Sequence, residues 1–193
     1  TRSSMNILLN HFDQNVIGIY DDSFVKGFEQ ELIHSIPLTG TVGDIKAHQC
    51  VFVSVGDNVS REKYFLRFKE QIIKDSFFHP TSIQERDASI GICNQVFSSS
   101  FIGSNVEIGF NNIINTGAII EHESLLGNHN HIAIGAILCG RSTIGNRCLI
   151  GAGAILLDQV SICDNTIIGA GSVVTRDIKK AGTYVGNPAK RIK

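Results

Sequence analysis

The chain has no tryptophan, one methionine and only 7% aromatic residues. A core built on stacked rings is therefore excluded, and its apolar 42% must pack as aliphatic side chains. Neither charge sign dominates: 17 Lys and Arg face 18 Asp and Glu, for a net −1. Such a balance gives no field to attract a nucleic-acid backbone or an anionic membrane surface. No apolar run approaches the roughly 20 residues that span a bilayer, and no signal peptide is present in this sequence. The five cysteines, Cys50, Cys93, Cys139, Cys148 and Cys163, are odd in number and form no CxxC pair. Reduced, structural thiols in the cytoplasm are expected, rather than a disulfide framework or a zinc site. The chain begins at Thr1 with its only methionine at Met5, so the true N-terminus is expected to lie upstream. A length of 193 residues suits one or two domains and a sizeable core.

What the sequence does have is a period. Every sixth residue from Ile90 to Val174 is Ile, Leu or Val, without an insertion. A second column four residues further on is mostly small or polar, as at Ser100, Asn112, Ala118, Asn130, Ser142, Cys148 and Ala154. Six is neither the 3.6 of a helix nor the 2 of a simple strand; it is the hexapeptide period of a parallel β-helix. The two columns lie two residues apart across the period, so both point inward from short strands. Cys148 then fills core. Three hexads close one triangular coil, giving about five coils.

Residues 1–78 do not follow this rhythm; the second part, residues 79–193, carries it to Thr175 and ends in a tail, with His79-Pro80 at the change. In the first part Ser3–Phe12 has a helical pattern. Val16–Tyr20 reads as a strand ending in Asp21-Asp22, and Val51–Val55 as a buried strand ending in Gly56-Asp57-Asn58. Ser60–Lys74 reads as an amphipathic helix capped by Ser60, with Lys63 where a capping box would carry Glu or Gln. Strands alternating with helices predict a small parallel α/β domain, in which ligands bind beyond the strands' carboxyl ends. Asp21, Asp22 and Gly56 stand at those ends, where solvated turns are an equally good reading from spacing alone.

Three of the seven histidines crowd one stretch: His122 within Glu121-His122-Glu123, then His129 and His131. None occupies an inward column, so the register turns all three away from the aliphatic interior. His122 and His129 fall on corners, and His131, just before Ile132, faces outward from a strand. A face of about five residues at roughly 3.3 Å each is about 16 Å wide, which separates the His122 and His131 rings of one chain by more than about 10 Å. They can share a substrate only where the corner of one prism meets the face of another, an arrangement that a three-fold cyclic oligomer repeats. On the adjoining corner, Gly151-Ala152-Gly153 and Gly169-Ala170-Gly171 lie one coil apart. Small residues there leave backbone groups approachable along a groove that ends near His131, although tight corners alone would also call for them.

Ile120-Glu121-His122-Glu123, the outward His131 in His-Ile-Ala-Ile-Gly-Ala, the Gly-Ala-Gly corners and the Gly186-Asn-Pro-Ala-Lys190 tail resemble the sugar O-/N-acyltransferases of the hexapeptide superfamily. The similarity is greatest to bacterial nucleotide-amino-sugar N-acetyltransferases and sialic acid O-acetyltransferases, and extends to Tyr20-Asp21-Asp22 and Val55-Gly56-Asp57-Asn58. It implies a small Rossmann-like α/β domain followed by a left-handed β-helix, a homotrimer, acetyl-CoA between neighbouring prisms, a UDP-linked or related nucleotide sugar held partly by the N-terminal domain, and no metal. By the same resemblance His122 is the catalytic base and Glu123 its acidic partner, where spacing alone leaves Glu121 open. His131, Ala152 and Ala170 match the acetyl-CoA site, and Asp21, Asp22 and Gly56 the sugar-nucleotide site. A Gly-rich first turn with its own histidine belongs to this pattern and has no counterpart here.

The chemistry implied is acetyl transfer to a sugar amine, with a histidine of ordinary pKa near about 6.5 as base and His131 or backbone N–H groups facing the oxyanion. Lys179, Lys180, Lys190 and Arg191 are candidates to screen coenzyme A phosphates. O-acetylation of a sialic acid-like hydroxyl is the nearest rival. A zinc enzyme of the γ-carbonic anhydrase type, drawing on His122, His129 and His131, is the remote one; a non-enzymatic scaffold ranks last.

Overall fold

The computed structural model describes residues 7, 16–24, 32–33 and 35–193. The expected Ser3–Phe12 helix lies outside these residues apart from Ile7, which is helical and buried.

The six-residue period becomes a left-handed parallel β-solenoid with three faces. Two-residue strands such as Ile113–Ile114, His131–Ile132 and Leu149–Ile150 stack on the first face, paired in parallel and in register. Ile119–Ile120 and Ile137–Leu138 represent the second face, and Leu125–Leu126 and Thr143–Ile144 the third. The three sheets hold eight, six and five strands. The first already begins at Phe77–Phe78, which pairs with Gln95–Val96. It ends on Gly182–Val185 and the antiparallel Lys190–Arg191.

The interior is the aliphatic column. Val96, Ile102, Ile114, Ile120, Ile132 and Leu138 are wholly buried, and the small column, including Ala118, Ala136, Cys148 and Ala154, is sealed with them. Each such aliphatic side chain contributes roughly 1.5–3 kcal/mol of transfer free energy. Polar members of the second column are satisfied by stacking. Asn94 Oδ1 accepts from Asn112 N at 2.9 Å, Asn112 Oδ1 from Asn130 N at 2.8 Å, and Asn130 Oδ1 from Cys148 N at 2.7 Å. One buried asparagine per coil thus answers the main-chain donor of the next. Burial raises the Cys148 thiol to about 11, as a core-filling role requires.

The part before the solenoid differs from expectation in three places. Of Val16–Tyr20 only Ile19–Tyr20 (β1) is a strand; it pairs in parallel with Ile36–Gly40 (β3), which pairs antiparallel with Leu32–Ile33 (β2). The parallel sheet therefore amounts to one pair among the described residues. Val51–Val55 is extended but not a strand: only Val51 bridges, to Ile72, because Val53 O accepts from Gln95 Nε2 and Val55 O from Arg61 Nη1 instead of from a neighbouring strand. The helix (α1) runs Asn58–Arg67, earlier and shorter than read from the pattern, because Asp57 rather than Ser60 caps it, accepting from Ser60 N at 2.8 Å. After Phe68 the chain turns so that Ile72 can reach Val51. This assembly lies against the first face, where Ile7, Ile19 and Ile36 share a cluster with Phe77, Phe97 and Ile113.

Asn112→Ala should strand the buried main-chain N–H of Asn130 one coil on and cost about 1–3 kcal/mol, read as a lower urea midpoint with unchanged slope. Leu125→Ala, on an exposed position of the third face, should shift that midpoint by less than half as much.

Candidate active site

His122 sits on the corner after the second face, turned away from the interior. Its ring Nδ1 lies 2.9 Å from Glu123 Oε2, and the two side chains are 49% and 56% exposed. Glu123 adopts φ 58°, a left-handed backbone that a glutamate enters only when its surroundings demand it. That corner bend lets a residue adjacent in sequence face the imidazole. Glu121 Oε2 accepts instead from the main-chain N–H of His122, at a long 3.4 Å. Of the two carboxylates left open by spacing, Glu123 is the one on the ring.

The ring also reaches across the coil above. A Cβ on Gly140 would stand 2.7 Å from both Cε1 and Nε2 of His122, so the absence of a side chain there makes room for the imidazole.

His131 is outward from its own prism, as expected, yet it is covered. Its Nδ1 is 3.3 Å from Gly56 O and its Nε2 is 3.2 Å from Asn115 Nδ2. An amide N–H donates only, so Nε2 accepts and Nδ1 carries the proton to the carbonyl. This neutral tautomer leaves neither ring nitrogen free to donate to an oxyanion. Gly56 and His131, selected separately in the sequence, are thus in contact.

Arg61 holds them together. Wholly buried, it donates from Nε to Asn111 O, from Nη1 to Val55 O and Gly56 O, and from Nη2 to Asn58 Oδ1, His129 O and Asn130 O, at 2.7–3.1 Å. Burial lowers its pKa to about 10. Neither Arg61 nor Asn115 was singled out by sequence; an arginine on a polar helix face and an asparagine on a corner carry no signal of burial.

His129 departs from expectation. Its corner position is outward with respect to the prism, but α1 covers it, leaving 4% exposure. The ring bonds Asn111 Nδ2 through Nδ1 at 2.7 Å, approaches Glu62 at 3.7 Å, and packs edge-on against Phe65 and Phe110. A buried, engaged imidazole cannot be offered to a metal shared between subunits, which counts against the zinc reading. Among the described residues no group of three His, Cys, Asp or Glu is placed to hold a metal ion.

Asp21 and Asp22 follow β1 and are exposed. Asp22 accepts from the Tyr64 hydroxyl and from Val42 N, and the Tyr64 bond in first place holds its carboxyl below the usual range. Asp21 and Tyr64 border a cavity of about 400 Å³ that runs between β1 and the extended Val51–Val55.

The Gly-Ala-Gly corners are open at their second glycine and tightly packed at their first, Gly151 and Gly169. Gly135, Gly153 and Gly171 all have φ between 63° and 66°, and a Cβ on any of them would meet nothing within 4 Å. Ala152 O accepts from Gly171 N at 2.8 Å, whereas no backbone hydrogen bond uses the N–H of Ala152 or Ala170. Ile134, 57% exposed, lies one coil before Ala152 on this corner. A corner with spare donors, open space at its glycines and an apolar patch suits a long ligand with amide and alkyl segments.

The bacterial transferase hexapeptide family (six repeats) matches residues 141–176. No curated protein sequence matches the chain. Among solved structures the chain is similar to a GDP-perosamine N-acetyl transferase from Caulobacter crescentus, determined with CoA and GDP-perosamine in a variant with one histidine replaced by alanine. The two are 26% identical over 100% of this chain and 91% of that one, with a TM-score of 0.89. The acetyltransferase domain of PglB from Neisseria gonorrhoeae FA1090, in complex with acetyl coenzyme A, is 27% identical over 99% of this chain and 92% of its own, with a TM-score of 0.86. WeeI from Acinetobacter baumannii AYE shares the fold at 22% identity, covering 97% and 92%, with a TM-score of 0.85.

Burial holds both His129 and His131 below the ordinary imidazole range, and Arg61 beside them acts in the same direction. As pH falls below about 6.5 the unfolded chain takes up protons that the native chain refuses, so native stability declines. Urea midpoints should drop between about pH 7.5 and 5.5, and His129→Gln with His131→Gln should flatten that slope. Carboxylates with lowered pKa, such as Asp22, act in a separate window below about pH 4.

Proposed function

We propose that this chain, a hexapeptide-repeat sugar acyltransferase, transfers the acetyl group of acetyl-CoA to the amino group of a nucleotide-linked amino sugar. The observation that carries the reading is the His122–Glu123 pair at 2.9 Å on an exposed corner, opposite no competing donor on Nδ1. His122 Nε2 accepts the amine proton as nitrogen attacks the thioester carbonyl. Glu123 keeps the other ring proton on Nδ1 and stabilises the imidazolium that forms. Collapse of the tetrahedral adduct breaks the C–S bond, and the imidazolium returns its proton to the departing coenzyme A sulfur. The products are an N-acetyl sugar and free thiol; neither a metal nor an acyl-enzyme is needed.

Acetyl-CoA is assigned to the Gly-Ala-Gly corner, with the N–H groups of Ala152 and Ala170 as donors and His131 near the acetyl end. The engaged tautomer of His131 favours a positioning role and leaves oxyanion stabilisation to backbone N–H groups. Asp21, which lines the cavity beside β1, is assigned to the nucleotide sugar, together with Asp22 and Gly56, each next in sequence to a lining residue. Residues 1–78 then act as the nucleotide-sugar domain, of Rossmann-like α/β type, and residues 79–193 as the acyl-transfer domain. Because His122 and His131 lie on a corner and a face with the prism between them, a homotrimer completes each site at a subunit boundary. No helix among the described residues is long and apolar enough to cross a membrane. A cytoplasmic location fits a nucleotide-sugar substrate and free thiols. The similarity to enzymes solved with GDP-perosamine and acetyl coenzyme A supports the amine acceptor over a sugar hydroxyl.

His122→Ala should lower kcat by roughly 10²–10⁴ while acetyl-CoA affinity stays near wild type. Comparable turnover in that variant, on a panel of UDP- and GDP-linked amino sugars, would remove the base assignment. Inactive His122→Ala and His131→Ala chains, refolded together, should regain activity if one site draws on two subunits. Confirmed mixed oligomers without any rescue count against the shared site.

A further inference from the structure

The corner that carries His122 repeats once per coil, so side chains at equivalent positions form columns. Arg141 N donates to His122 O at 2.8 Å and Gln159 N to Gly140 O at 3.0 Å, which places Arg141 directly above Glu123 and Asp158 above Gly140. Glu123 and Arg141 share φ 58°, so their side chains leave the backbone in the same direction, about 4.8 Å apart by the spacing of neighbouring strands. A guanidinium so close to a carboxylate ordinarily closes on it in a bidentate pair. Here it does not. Arg141 instead reaches the next coil, with Nε 3.1 Å from Asp158 Oδ1 and Nη2 2.5 Å from Asp158 Oδ2, while Gln159 Nε2 donates to Asp158 Oδ2 at 3.0 Å.

Building on the reaction proposed above, we infer that Asp158 is a positioning residue: it holds the Arg141 guanidinium off Glu123, so that this carboxylate stays on His122 Nδ1. The charged groups around the ring are Glu121, Glu123, Arg141 and Asp158. Both Asp158, through its bond, and the nearby Glu123 raise the pKa of Arg141, as expected of a cation poised between two anions. The Asp158 carboxylate also approaches the space His122 crosses, with Oδ1 3.3 Å from where a Gly140 Cβ would stand. An ion pair this exposed adds little to folding. Its consequence is directional: without Asp158, Arg141 has Glu123 as its nearest anion, and the imidazole loses the partner that fixes its tautomer.

Three full-length variants decide the matter. Asp158→Asn should lower kcat about tenfold with the KM for acetyl-CoA unchanged. Arg141→Gln should stay near wild type, and Arg141→Gln with Asp158→Asn should recover most of the loss, because no guanidinium remains to compete. In parallel, ¹⁵N NMR of the His122 ring, identified by its absence in His122→Asn, should show the Nδ1–H tautomer depleted in Asp158→Asn and restored in the double variant. Wild-type kcat and tautomer in Asp158→Asn, or a double variant as impaired as the single one, overturn the inference. If the wild-type chain transfers no acetyl group, the functional reading fails alone, and the ring spectrum still decides the role of Asp158.

Discussion

The molecule depends on one buried cation. Arg61 has no carboxylate in contact; its charge is met by five main-chain carbonyls and one amide oxygen, more acceptors than it has N–H groups. An unpaired buried charge is otherwise among the costliest features a fold can contain. Here the cost is offset only while α1, the Val55–Gly56 turn and the corner at His129–Asn130 are all in place. Docking of the N-terminal part is therefore close to all-or-none. The same contact fixes Gly56 O against His131 Nδ1, so the packing that joins the two parts also sets the tautomer of a candidate site residue.

Legibility in the sequence followed the strength of the local rule. The solenoid was readable because the alternation of Ile120, Ile132 and Ile150 with small residues is a period no other fold requires. The outward direction of His122 came from counting alone, since a corner is defined by its distance from an aliphatic position. The choice of Glu123 over Glu121 did not, for it depends on a left-handed φ that spacing cannot reveal. His129 shows the limit of register: outward from the prism is not outward from the protein when a helix lies above.

The N-terminal part was read least well, and for a physical reason. Val51–Val55 has the composition of a buried strand, but strand formation needs a neighbour, and its carbonyls are claimed by the side chains of Gln95, remote in sequence, and of Arg61, on the helix that follows. At the start of the helix, Ser60 is as good a cap as Asp57 on propensity. The contest is settled by which side chain reaches a free N–H, and Asp57 reaches that of Ser60 itself.

The asparagine and aliphatic ladders also separate two kinds of sequence change. Losing a whole coil of eighteen residues would leave every remaining group on its own side of the prism. Losing a single hexad between Glu123 and His131 would keep the interior chemically intact, yet rotate everything downstream by one third of a turn, carrying the imidazole away from the Gly56 carbonyl. Such a chain would still have a sound interior and no longer the same surface geography, so in this architecture length changes in units of six can uncouple foldedness from chemistry.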